Sequence, residues 1–145
     1  MLYNSLIKIP FGKTVFAWIV CQRIPYFKSI RPKVVEIKEG RTVVSMKERR
    51  SIQNHVKTVH AIALCNLCEL SMAMTAEATI PDHLRFIPVG MTVAYKKKAK
   101  GVLIAISEIK KADFKPGNVN INVDVFDEGK INVMSAVITL NIKEK

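Results

Sequence analysis

Cysteine is scarce in this chain: Cys21, Cys65 and Cys68 are the only three in 145 residues. Three thiols cannot all pair within one chain, and nothing here looks like a secreted disulfide framework, so a reducing cytoplasm is the expected compartment. Glycine and proline number six each, and the chain is 49% hydrophobic. That ordinary composition argues against disorder. Long hydrophobic runs are missing near the N-terminus, where the longest is Thr14 to Cys21. A run that short cannot span a bilayer, no small-x-small cleavage site follows it, and Val20 is too large to precede a lipoprotein cysteine. Stable membrane insertion is therefore not expected. Acid is the other shortage, with 12 Asp and Glu against 23 Lys and Arg, a net charge of +11. Such a balance suggests an anionic partner and says nothing about fold.

The positive charge comes in blocks. Residues 1–35 hold six cations and no acid, and a second block runs Tyr95-Lys96-Lys97-Lys98-Ala99-Lys100. On an alternating strand Lys96 and Lys98 share one side and Lys97 the other, so only some can meet one ligand. Tyr95 is the lone aromatic beside them. Without an aromatic platform or a recognised motif, nucleic acid is not an expected partner.

Length and patterning predict a single α+β domain over 1–145, with residues 1–32 as a helical extension. Pro10 suits a first helical turn and Pro25 stops that helix. The helix reads as packed on the domain's own core, with loose membrane contact through Phe11, Phe16 and Trp18 as the alternative. Val34–Lys38 and Arg41–Arg49 read as strands around a Glu39-Gly40 turn. Residues 50–59 are polar and irregular. His60–Ala78 is the long helical signal, apolar nearly all the way round and so buried on several sides. Four strands follow Leu84, one of them the strict alternation Asn118–Val125. The total is about six strands, and hairpin-length links predict antiparallel neighbours.

The chemistry gathers at the start of the long helix. Its first amides lack intrahelical partners and suit an oxyanion. Glu69 interrupts an apolar stretch, where a carboxylate is costly unless paired or functional. Desolvation there would raise its pKa and fit it for base or nucleophile work; a Glu bonded at a helix contact is the competing reading. Cys65-x-x-Cys68 lies inside the helix with no second cysteine pair. It reads as buried packing rather than a metal or redox site.

Asn54, His60, Leu67 and Glu69 stand at the spacings of a helix motif: Asn, two residues, Gly, two residues, His-Gly-Gly, four residues, Leu, one residue, Asp or Glu. The later run Gly90-Met91-Thr92-Val93-Ala94-Tyr95, a basic stretch and Gly101 extends the match. On these residues the chain resembles the hotdog-fold thioesterases of the phenylacetic-acid-pathway-like group, and within them an uncharacterised branch, over roughly residues 10–143. It departs from the motif at Lys57, Ala61 and Ile62, each where the group has glycine.

The resemblance implies a curved antiparallel sheet around residues 60–78, and a homodimer or a tetramer of dimers with sites at the interface. It implies hydrolysis of an acyl-CoA-type thioester without a cofactor or metal. Glu69 would be base or nucleophile, the Ala61 amide the oxyanion donor, Asn54 an orienting group and His60 a support. His55, Thr58, Thr92, Tyr95, Lys96 and Lys98 would contact the substrate. A non-catalytic acyl-CoA or apolar-ligand binder remains an alternative. So does a dehydratase or hydratase, since His55 and Glu69 resemble the His/Glu pair of such hotdog enzymes.

Overall fold

The computed structural model describes residues 12–145. The expected helix start at Pro10-Phe11 and the Phe16 side chain lie outside the described residues. Helix α1 is described over Gly12–Arg23, and Pro25 ends it by opening a further turn, α2, Pro25–Lys28. Proline suits that first position because its missing N–H has no intrahelical acceptor to lose. Cys21, Phe27 and Ile30 bury themselves in the core.

Strands β1 (Lys33–Lys38) and β2 (Arg41–Lys47) form the expected hairpin. Gly40 turns it at φ +79°, and a Cβ there would stand 2.8 Å from the Ile109 carbonyl oxygen, so only glycine fits. After a short 3-10 turn at Arg50–Ile52 comes the long helix α3, Ala61–Thr79. Then follow β3 (Leu84–Tyr95), β4 (Val102–Glu108), β5 (Gly117–Phe126) and β6 (Asn132–Glu144). All six strands form one antiparallel sheet in the order β1-β2-β4-β5-β6-β3.

That order corrects one expectation. The short link 96–101 does not join neighbours: β3 pairs with β6 at the far edge, and β4 pairs with β2. The link crosses the end of the sheet instead. It passes about three strand spacings, roughly 14 Å, which six extended residues can span. Its start is held by the Lys96 and Lys97 amides on the Val133 carbonyl, and its end by the Glu48 amide on the Gly101 carbonyl.

Alternation decides what faces the helix. Met134, Ala136, Ile138, Leu140 and Ile142 of β6 are buried, as are Ile121, Val123 and Val125 of β5. They meet Leu64, Leu67, Cys68, Leu70, Met72 and Met74 of α3 in one core. An all-round apolar helix has no other stable place, and each such side chain contributes about 1.5–3 kcal/mol when fully buried. Hydroxyls fix the helix on its hidden side. Ser107 on β4 donates to the Ser71 carbonyl (2.9 Å), Ser71 donates to Ser107 (3.1 Å), and Thr75 joins them. One turn on, the Gly40 amide donates to Thr79 Oγ1 at 2.8 Å. The helix is thus pinned both to β4 and to the β1–β2 turn.

Candidate functional site

The segment before α3 is a closed loop built by Asn54. Its Oδ1 accepts from the Val56 and Thr58 amides, both at 3.1 Å, and its Nδ2 donates to Thr58 Oγ1 at 2.9 Å. Lys57 closes the turn at φ +56°, in the left-handed region where glycine is at ease and a Cβ is strained. The loop is tied down by the Val59 amide on the Ala99 carbonyl (2.9 Å) and the His60 amide on the Ile52 carbonyl (2.8 Å).

His60 is the N-cap of α3. Its backbone is extended and its Nδ1 accepts from the Ile62 amide at 3.1 Å. That bond needs the neutral ring with its proton on Nε2. The next two amides, Ala63 and Leu64, both reach the His60 carbonyl. The Ala61 amide is left without an acceptor among the described residues.

From there one stripe of α3 stays open. Ile62 is exposed, and Cys65, Glu69 and Ala73 are half-buried, at the three- and four-residue spacing that stacks side chains on one helix face. Tyr95, the last residue of β3, closes part of this stripe: its hydroxyl lies 3.4 Å from Cys65 Sγ. That contact, with burial second, pushes the phenol up to about 12. It therefore stays protonated at neutral pH. Burial raises the Cys68 thiol strongly, so of the two helix cysteines Cys65 is the accessible one. The expectation that both are buried packing holds for Cys68 and not for Cys65. Glu69 makes no hydrogen bond or ion pair among the described residues. No three His, Cys, Asp or Glu side chains converge as metal ligands there either.

The expected site residues therefore separate into groups. Ala61, Glu69 and Tyr95 belong to the open stripe. Asn54 and Thr58 spend their polar atoms on the loop, and His60 on the cap. His55 is exposed on the turn and Thr92 on β3. Lys96 leaves the stripe: one residue past Tyr95, its Nζ donates to Ser135 Oγ at 2.6 Å, and Ser135 in turn bonds Asp124. Lys98 is exposed in the crossing link. Sequence reasoning missed Cys65 as a groove residue. The available signal was its place four residues after Ala61 and four before Glu69.

A curved antiparallel sheet of six strands around one long helix, with a short helix ahead of it, is the hotdog fold. Residues 12–142 match the family described as Domain of unknown function (DUF4442). The chain belongs to that family. It is similar to a structural-genomics crystal structure at 34% identity and TM-score 0.87, over 99% of this chain and 97% of the other. A Pseudomonas aeruginosa protein of unknown function, a probable thioesterase, is similar at 15% identity and TM-score 0.78, over 86% and 91% of the two chains. A hypothetical thioesterase from Streptococcus pneumoniae, crystallised with coenzyme A, is similar at 18% and 0.72, over 86% and 98%. At such identities the last two establish the fold. No curated protein matches the sequence.

Proposed function

We propose that this protein hydrolyses thioesters of the acyl-CoA kind. The observation that carries the reading is Glu69: a carboxylate half-buried on the open stripe of α3, where the helix's other carboxylate, Glu77, is exposed, with no partner among the described residues. A free amide at the start of the same helix, at Ala61, supports it. So does the fold shared with probable and hypothetical thioesterases, one of them holding coenzyme A. Glu69 draws a proton from water, whose oxygen attacks the thioester carbonyl, or attacks that carbonyl itself. The oxyanion accepts a hydrogen bond from the Ala61 amide. On the base route, collapse breaks the C–S bond, the thiolate takes back the proton held by Glu69, and the acid leaves. On the nucleophile route, collapse expels the thiolate and leaves an acyl-Glu69 anhydride, which a water then cleaves to free the acid and Glu69. Tyr95 and Cys65 line the acyl side. A reducing cytoplasm suits a thiol beside the groove.

The reading includes a symmetric pair of chains. Ala61 and Glu69 lie roughly 12 Å apart along the helix axis at 1.5 Å per residue. One carbonyl meets an amide from one chain and a carboxylate from the other more readily than both from one helix. Ala61→Pro removes only the N–H, since proline is accepted at the first helical position. We expect Glu69→Gln and Ala61→Pro each to lose at least about 100-fold in kcat, the usual scale of an oxyanion donor or base. Mixed dimers of the two variants regain about half of the wild-type rate per dimer, because one site then has both groups. Wild-type turnover by Glu69→Gln would sink the mechanism. Mixed dimers as dead as their parents would place both groups in one chain. Saturable binding of acyl-CoA esters without thiol release, across chain lengths, would leave a binding protein.

A further inference from the structure

We infer that the protein carries a second ligand site, between α1 and β1, for a single-tailed amphiphile with an anionic head. A cleft of about 240 Å³ opens there. Trp18, Cys21, Pro32 and Val34 form its apolar walls, and Lys28, Arg31 and Lys33 its rim. None of the three cations forms an ion pair among the described residues. No acid precedes Glu36 in the chain, and Glu36 is already held by Lys38 and Arg41. The walls are neutral as well, because burial raises the Cys21 thiol more than Lys28 lowers it.

Three further features point to a ligand. Trp18 is 62% exposed, although a tryptophan on a packed helix ordinarily buries most of its ring. Arg31 is held at φ +46°, a conformation a long side chain adopts at a cost and which the surroundings must maintain. Arg49 maintains it, donating to the Ser29 and Ile30 carbonyls. The cleft is also too small for a whole drug-sized ligand, for which about 300–1,000 Å³ is usual. It has room for a tail, with the head outside on the cations. A carboxylate or phosphate head fits the forked Arg31 guanidinium. The site lies beside β1, at the opposite edge of the sheet from β3, and does not depend on the Glu69 groove.

Trp18 is the only tryptophan, so its emission reports the cleft and nothing else. The probe is monomeric sodium decanoate added to the full chain. The expected result is a saturable blue shift, about tenfold weaker for 1-decanol and for Lys28→Glu/Lys33→Glu. Arg31→Gly removes a charge and relieves the backbone, so it weakens decanoate severalfold while its thermal midpoint holds or rises. That variant decides the matter if the charge reversal fails to fold. Glu69→Gln leaves the shift unchanged. No shift, an equal response to decanol, or wild-type affinity in Arg31→Gly would overturn the proposal. A shift with phosphatidylglycerol vesicles alone would overturn it too, and make this face a membrane-docking surface.

Discussion

Lys57 shows how a motif position can be read and its cause still be hidden. The spacing from Asn54 to Glu69 was legible, and so was the absence of glycine at residue 57. The left-handed turn that explains the glycine was not. Lys57→Gly should stabilise the chain by about 1 kcal/mol, the scale of a strained left-handed residue less the entropy glycine adds when unfolded. Urea midpoints would show it, and a destabilised Lys57→Gly would mean that the lysine side chain contributes more than the backbone loses. The other matched residues are architectural in the same way. Asn54 closes the loop, His60 caps the helix, and Leu67 is fully buried. Of the three polar ones, only Glu69 makes no side-chain hydrogen bond among the described residues. A spacing pattern gives no sign of which positions shape the backbone and which touch a ligand.

At the scale of elements, α3 depends on supports from both ends of the chain. Ser107→Ala leaves the buried Ser71 hydroxyl without its partner and should cost about 1–3 kcal/mol. A calorimetric midpoint unchanged from wild type would mean the hydroxyl cluster is ornamental. The loop ahead of α3 leans on Glu48, whose carboxylate accepts from the Gly101 amide and from Gln53, both at 2.7 Å. The Gly101 amide first, and Gln53 second, hold this carboxyl below the usual range. Its contribution is thus complete above the ordinary Glu pKa, near 4.3, and is lost as pH falls through the lower folded value. The stability gap between wild type and Glu48→Gln should close in acid. A gap that is constant with pH would remove the carboxylate's part. Helix and strand positions were legible because their apolar periods are strong. An isolated antiparallel bridge pairs Gln53 with Val59, and it was not legible, because polar residues 50–59 carry no period at all.

At the scale of the molecule, the strand count was legible and the strand order was not. Alternation tells a strand which face to bury and says nothing about its neighbour, so the crossing from β3 to β4 read as a hairpin. The crossing leaves β3 as a long edge with Ile87 60% and Val89 57% exposed, the sort of edge that pairs with another chain. We expect the protein to sediment as a dimer or a pair of dimers, and Ile87→Lys/Val89→Lys to sediment as monomer and lose turnover. Wild-type sedimentation by that variant would move the interface elsewhere. The site itself was only half legible, because a spacing pattern does not show which side chains stay open on the folded helix, as Cys65 does beside Tyr95.

The position of α3 in the chain also bears on how the protein is made. The helix is long and apolar enough, by length and composition, to cross a membrane. It emerges from the ribosome before β4 and β5, two of the strands that pack against it. Until β4 and β5 are made, the face of α3 that they cover stays open, although β1 and β2, made earlier, already pack on the helix. An apolar face left open during synthesis is where a partly made chain is most prone to aggregate.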